Sequence, residues 1–336
     1  MMAEKILITG AAGFIGHHLV AAVMANTDWE ITIIDRLDCS GNLNRLAESG
    51  AAKNPRVKFV YHDLRAPFND QLCAQIGAHD YIAHLAAGTH VDRSIEDPMS
   101  FVMDNVVATC NILDFARKVG VGRFLYFSTD EVFGPAPAGV NYKENDRYNS
   151  GNPYAATKAG AEELVVAYAN TYGLKAIVTH TMNVIGERQH PEKMVPMCIA
   201  KVSAGERVTI HSDKTRSIPG SRFYIHATDV ADAVLTLLKA QALGKFNVVG
   251  EMELDNLTLA KIIAESVGKL LFYDLVDFHS QRPGHDLRYA LDGSKMLEQF
   301  SWKPLAPIAE RVHSIVQWTL ANKHWLAQLP ARPVAA

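Results

Sequence analysis

Six runs of β-branched and apolar residues are spaced through the first 180 positions: KILITG (5–10), EITIID (30–35), VKFVYHD (57–63), DYIAHLA (80–86), RFLYFST (123–129) and KAIVTHT (175–181). Each is apolar almost throughout instead of alternating with polar residues, so both faces of each strand demand cover. Longer helical stretches separate them. Continuous apolar strands divided by helices specify a doubly wound α/β domain with a parallel sheet. At 336 residues the chain can hold one large α/β domain or two intertwined ones.

After about residue 186 the pattern changes. Pro191, Pro196, Pro219 and Pro283 punctuate shorter elements, and SDKTRSIPGS (212–221) reads as an exposed loop. ATDVADAVLTLLKAQ (227–241) and LTLAKIIAESVG (257–268) have helical patterns and flank a strand-like KFNVVG (245–250). The expectation is a Rossmann-like dinucleotide domain over 1–185 and a smaller C-terminal α/β substrate domain over 186–330. A segment near 223–248 is expected to return to the first.

Composition narrows the function classes. A formal net charge of -3 leaves no basic footprint for nucleic acid. No 18-residue apolar run marks a membrane span, and the N-terminus enters a strand at once, with no signal peptide visible. Cys39, Cys73, Cys110 and Cys198 are scattered and form no CxxC, which reads as reduced thiols in a cytoplasm, with no metal site.

The first strand runs into ITGAAGFIG (8–16). Gly10, Gly13 and Gly16 there permit a tight turn and a close approach of backbone to pyrophosphate, whose charge sits at the following helix N-terminus. Phe14 and Ile15 lie within that loop. The spacing is GxxGxxG, not GxGxxG, so the context carries the reading: strand before, helix after, and Asp35 closing the second strand. A carboxylate at that point can accept both ribose hydroxyls and repels a 2′-phosphate, which favours NAD over NADP. Arg36 beside it is a cation that a 2′-phosphate could use. Asp63 could meet an adenine edge or could cap the turn that starts at Leu64.

FSTDEVFG (127–134) closes the fifth strand with two adjacent carboxylates, Asp130 and Glu131. YAATK (154–158) places Tyr154 and Lys158 on one face of a helix. A cation beside a phenol lowers its pKa and makes tyrosine usable as a base. Thr129 would polarise the reacting oxygen. The plainer alternatives are a solvated Tyr/Lys pair and two carboxylates capping a turn.

Together, the glycine loop, Asp35, HLAA (84–87, with Ala86), Thr129, Tyr154 and Lys158 resemble the extended short-chain dehydrogenase/reductase family of nucleotide-sugar enzymes. The resemblance runs from Lys5 to about Leu326. IDRLDCSGNL, HVDRSIEDP, STDEVFG, HPEKMVP and RPGHDLRYALD narrow it to the dTDP-glucose 4,6-dehydratases. That resemblance implies bound NAD, with Tyr154 as the base for oxidation at C4, Glu131 as the base at C5 and Asp130 as the acid toward the C6 hydroxyl. It implies substrate contacts at Thr89, Asn183, Glu192, Lys193, Arg222, Asn247, Arg282 and His285. It also implies a homodimer through a four-helix bundle made by FVMDNVVATCNILDFARKVG and YAATKAGAEELVVAYANTYG.

Departures from the family pattern are Gly88 for a glutamate, VIGER (184–188) after Asn183, a longer loop before Arg222 and His226 for a tyrosine. They gather where a nucleotide base would sit. UDP-glucose 4,6-dehydratases, epimerases and decarboxylases of the same family are the alternative. The Asp130–Glu131 pair argues against the last two.

Overall fold

The computed structural model describes residues 3–38, 40–278 and 286–327; Cys39, Arg282 and His285 lie outside them. The six apolar runs form β1 (Lys5–Thr9), β2 (Glu30–Asp35), β3 (Val57–Tyr61), β4 (Tyr81–His84), β5 (Arg123–Thr129) and β6 (Ala176–Thr181). A further strand, Gly244–Val248, pairs in parallel with β6 at one edge. Among the described residues the order across this seven-stranded sheet is Gly244–Val248, β6, β5, β4, β1, β2, β3, with every neighbouring pair parallel. From β1 the chain winds one way to β2 and β3, then crosses to β4, β5 and β6 on the other side. Loops leaving the carboxyl ends of β1 and β4 therefore diverge, and a crevice opens between them.

Both faces of β1, β2, β4, β5 and β6 are buried, which explains their unbroken apolar runs, whereas β3, at the sheet edge, buries only Val60 and leaves Phe59 and Tyr61 exposed. Ile6, Ile8, Ile31, Ile33, Leu125 and Ile177 face helices Phe14–Asn26 and Ala227–Lys239, which contribute Leu19, Val23, Val230, Val234 and Leu238. Leu7, Ile34, Ile82, Phe124, Tyr126 and Val178 face helices Ala108–Val119 and Pro153–Tyr172, through Ile112, Phe115, Ala161 and Val165. Each such side chain contributes on the order of 1.5–3 kcal/mol by leaving water. The stretch from Ile225 to Val248 thus adds one helix and one strand to the large sheet.

A third core lies beyond the carboxyl ends of the strands. Helices Met194–Ala204, Asn256–Val267 and Ile308–Ala321 pack Val195, Ile199, Leu259, Ile263, Val312 and Ile315 together beside the paired strands Val208–Ser212 and Tyr273–Asp277. The loop near 212–221 is exposed from Lys214 to Ile218, where the Asp213 carboxylate accepts the backbone N–H groups of Thr215, Ser217 and Ile218.

The stretch 98–119 is not one regular helix. A π-helical segment, Val102–Val107, interrupts it and turns Asn105 inward. Its amide accepts the Gly88 N–H at 2.7 Å and donates to the Gly88 carbonyl and to Thr157 Oγ1 at 3.1 and 2.9 Å. Such one-turn widenings recur at functional sites. This one ties the loop after β4 to the helix that carries Tyr154.

Candidate active site

A cleft of about 650 Å³ opens above the carboxyl ends of the strands. Gly10, Gly13, Phe14, Ile15, Gly16, Asp35, Asp63, Leu64 and Ala86 line one end of it, and Thr89, Thr129, Asp130, Glu131, Tyr154, Lys158, Asn183, Glu192 and Lys193 line the other.

At the first end the glycines are required by contact. Gly10 has φ +69°, and a Cβ there would lie 2.7 Å from Ala86 N; a Cβ on Gly16 would lie 2.2 Å from the Gly10 carbonyl oxygen. No side chain fits, so the loop presents bare backbone at the N-terminus of the Phe14–Asn26 helix, a cradle suited to a diphosphate. The Asp35 carboxylate accepts Ala12 N–H at 2.9 Å and Leu37 N–H at 2.8 Å, which fixes it at the rim of the cleft. Burial raises its pKa, and those two hydrogen bonds oppose the rise.

Arg36 is bound by acids. Its guanidinium donates to Asp104 at 2.6 and 2.8 Å and to Asp38 at 2.6 and 2.9 Å, and Asp63 lies 3.5 Å away. Asp38, Asp63 and Asp104 thus crowd Arg36, with Arg65 sharing Asp63 and Asp104, and three carboxylates against two cations leave a net negative surface where a 2′-phosphate would have to sit. Burial would raise Asp63, but hydrogen bonds from Arg65 and the field of Arg36 hold it at about 2. Asp63 is thus a charged partner of two arginines that also lines the cleft, and its bond to Arg65 N–H caps the local turn. Residues at this end fit a dinucleotide with free ribose hydroxyls.

At the other end, Asp130 follows β5 directly and is only 5% exposed. Thr129 Oγ1 donates to Asp130 Oδ1 at 2.9 Å, while Asp130 Oδ2 is buried with no hydrogen-bond partner among the described residues. Burial, then the neighbouring Glu131 charge, pushes Asp130 up to about 7. Burial also raises Glu131, against Asn152, Arg222 and Lys193. Asn152 Nδ2 donates to Glu131 Oε2 at 3.1 Å, and its Oδ1 caps the helix Pro153–Tyr172 by accepting Ala155 N–H. Of two adjacent carboxyls, one is therefore held near half-protonation at neutral pH, as an acid–base pair requires.

Tyr154 and Lys158 face this pair from the first turns of that helix. Lys158 Nζ donates to the Phe127 carbonyl at 2.6 Å and lies 4.2 Å over the Tyr126 ring. The expected lowering of the Tyr154 phenol is not what the structure shows. Burial, and then the Glu131 charge, raise it, while Thr129 pulls it down. Burial also lowers Lys158 to about 7, so the ammonium is a weaker counter-charge than its sequence position implied.

The substrate-side residues divide. Thr89 and Asn183 are exposed at the cleft mouth; Glu192 sits 3.3 Å from Arg93 and 3.4 Å from His90, and Lys193 lines the same wall. His90 itself is lowered to about 4 by burial and by Lys193 and Arg93. Arg222 is half-buried: it donates to the Ser221, Asp286 and Leu287 carbonyls and stacks on Tyr289 at 4.5 Å, acting on Asp130 and Glu131 through its field. Asn247 is held inside the protein. Its side chain is fully buried in the Gly244–Val248 strand and is used by His180 and by the Tyr142 and Asp292 carbonyls, because that strand joins the main sheet. Sequence reasoning passed over Asn105, Asn152 and Tyr289, the last 3.5 Å from Glu131. Only Asn152 left a signal, as an Asn-Pro helix start.

This parallel sheet with a glycine cradle, an acid on β2 and a Tyr/Lys helix defines a dinucleotide-dependent α/β fold, and the chain belongs to the NAD dependent epimerase/dehydratase family, whose model matches residues 6–249. It is 36% identical over 329 residues to a dTDP-glucose 4,6-dehydratase from an Actinoplanes species, covering 96% of this chain and 99% of that one. It is 35% identical over 352 residues to an Escherichia coli dTDP-glucose 4,6-dehydratase, covering 96% and 95%. Its fold matches DesIV, a dTDP-glucose 4,6-dehydratase from Streptomyces venezuelae solved with NAD and dTDP bound, at TM-score 0.87 and 33% identity over 96% and 98% of the two chains. A UDP-glucose 4-epimerase from Thermus thermophilus, solved with NAD, matches at TM-score 0.82 and 27% identity over 97% and 100%.

Proposed function

We propose that this chain is an NAD-dependent nucleotide-sugar 4,6-dehydratase, converting a nucleoside diphosphoglucose, dTDP-glucose first, to the 4-keto-6-deoxy sugar. The observation that carries this reading is the buried Asp130–Glu131 pair at the end of β5, with Asp130 poised at about 7 and facing the same cleft as Tyr154. An epimerase needs Thr129, Tyr154 and Lys158 but has no task for an adjacent acid and base.

The glycine loop and Asp35 would hold the NAD, which supplies a hydride acceptor and later a donor within one turnover. Tyr154 takes the proton of the sugar 4-hydroxyl, with the Thr129 hydroxyl beside it as the polarising donor. The ketone formed at C4 acidifies the hydrogen on C5, and Glu131 removes it. Asp130 gives its proton to the departing C6 hydroxyl, which leaves as water. The pair must be in opposite protonation states when water is lost, which the unequal surroundings of the two carboxyls favour. Lys193 and Glu192 stand at the mouth, where a diphosphate and sugar hydroxyls would lie. Arg282 and His285 are further substrate contacts that the family resemblance implies, and the unit from 186 onward would form most of the substrate side.

The test is incubation with dTDP-glucose and, separately, UDP-glucose, with detection of the 4-keto product by its near-ultraviolet absorbance in alkali. A C4-epimerised sugar with no 4-keto product would overturn the reading. Assembly is part of the same reading: Ile95, Met99, Met103 and Tyr172 are exposed on the helices before and carrying Tyr154, a surface suited to a homodimer through a four-helix bundle. Sedimentation at micromolar concentration tests it, a monomer being the adverse outcome. Among the described residues no helix is long and apolar enough to cross a membrane, and we place the enzyme in the cytoplasm on the scattered thiols.

A further inference from the structure

Behind Lys158 lies a polar cluster that no step above uses. Glu162 is one helical turn further along the same face, so Tyr154, Lys158 and Glu162 form a single stripe. Its carboxylate is fully buried and receives three partners from three other segments. His180 Nε2 on β6 lies 3.1 and 3.2 Å from its oxygens, Lys245 Nζ from the edge strand is 2.9 Å away, and the Tyr148 hydroxyl donates to it.

The hydrogen bonds around His180 fix where protons sit. Asn247 Nδ2 is committed to the carbonyls of Tyr142 and Asp292, both at 3.0 Å, so its Oδ1 is the atom facing His180 Nδ1 at 3.0 Å and accepts from it. His180 Nε2 then faces the Glu162 carboxylate, with the Tyr148 hydroxyl 3.3 Å away. Lys245 completes the far side, bonding the Tyr148 hydroxyl at 2.6 Å and lying 4.7 Å from that ring's centroid. Burial alone would raise Glu162, but His180, Lys245 and Tyr148 hold it at about 2, so its charge is secured. Around Lys158 itself the neighbours are the Tyr126 ring, the Phe127 carbonyl, the His84 imidazole, Tyr154 and Glu162. Glu162 is the group that pulls the lysine back up against burial.

We propose that Glu162 is a positioning residue for the reaction: the buried counter-ion, secured by His180, Lys245 and Tyr148, that keeps the Lys158 ammonium charged beside Tyr154. This rests on the roles given above to Tyr154 and Lys158. Without that carboxylate the lysine loses its proton at lower pH, and the phenol loses the cation that favours its ionised form. Tyr126 packs beside the same turn, its hydroxyl donating to the Lys158 carbonyl at 3.3 Å.

Two readouts test this in the full chain. The first is independent of activity: a double-mutant cycle of Glu162→Gln with Lys158→Met in thermal unfolding at pH 6 and pH 9. The expected coupling is at least fivefold in the unfolding constant at pH 6 and under twofold at pH 9, where the lysine is neutral. The second is the single-turnover rate of NADH appearance with dTDP-glucose in the Asp130→Asn, Glu131→Gln background, where the acid pair cannot mask the effect. Glu162→Gln should shift the alkaline limb at least one pH unit downward, and Glu162→Asp should restore at least half of that shift. Should Glu162→Gln fail to fold, Lys245→Met removes a compensating cation and should move the limb, and the coupling to Lys158→Met, the opposite way. Equal rate losses at every pH together with pH-independent coupling would make Glu162 merely structural and overturn the proposal. Absence of any NADH from wild type would instead remove the dehydratase reading, and the stability cycle would still decide whether Glu162 holds the charge of Lys158.

Discussion

Asp130→Asn should make the protein more stable above neutral pH while it weakens the proposed chemistry. In the folded chain burial and Glu131 hold Asp130 at about 7, against an ordinary aspartate value of 3.8. Between those values the folded state binds more protons than the unfolded state, so stability falls as pH rises through that window. The full difference is about 3 pKa units, or ~4 kcal/mol at about 1.4 kcal/mol per unit, lost by the time pH exceeds about 7. Asparagine has no charge to desolvate and removes this penalty. It keeps Oδ1 to accept from Thr129, but its Nδ2 replaces the oxygen that has no partner, an unsatisfied buried donor that costs about 1–3 kcal/mol. The net expectation at pH 8 is a gain of about 2 kcal/mol, and below pH 4 a loss, because there the wild-type carboxyl is protonated in both states. Chemical denaturation of wild type and variant at pH 4, 6 and 8 measures the difference. A variant destabilised by the same amount at all three pH values would refute the reasoning, because the Asp130 carboxyl would then carry no buried-charge strain for the reaction to use.

Three further outcomes follow from named contacts. Asn152→Ala removes both the donor to Glu131 and the cap on Ala155 N–H, so a stability loss of about 1 kcal/mol in denaturant titration should accompany a product-formation rate reduced about tenfold or more. Asp104→Asn combined with Asp38→Asn releases Arg36 from its two closest acids; NADP affinity, read by protein fluorescence quenching, should rise at least about tenfold relative to NAD, which is roughly 1.4 kcal/mol. An unchanged NAD/NADP ratio would mean that Asp35 alone sets the preference. Gly16→Ala puts a Cβ 2.2 Å from the Gly10 carbonyl, so the loop must move and NAD affinity by calorimetry should fall by about a hundredfold or more, whereas Gly173→Ala, at a helix end where an added Cβ meets nothing within 4 Å, should leave it within about twofold.

What the sequence determined was local. Strands β1, β2, β4, β5 and β6 were legible because a strand buried on both faces has to be apolar at consecutive positions, β3 only from its β-branched and aromatic residues, and the glycine loop because Gly10 and Gly16 sit where backbone meets backbone. Thr129, Asp130 and Glu131 were legible from their place at a strand end, and Tyr154 with Lys158 from helical spacing. Only the tertiary structure could decide which side chains found partners across the sheet. Asn247 reads as an amide at a strand end, free to bind substrate, until the Gly244–Val248 strand pairs with β6 and sets it opposite His180. Arg36 reads as a cation for a phosphate until Asp63, from the loop after β3, and Asp104, from the π-helical segment, close on it. Lys158 reads as a fully charged neighbour of Tyr154 until burial lowers it to about 7 and Glu162 is left to hold its proton. Helix and strand periods act over a few residues, whereas charge, burial and hydrogen bonding depend on which distant segments the register brings within about 3 Å, and no local pattern encodes that distance.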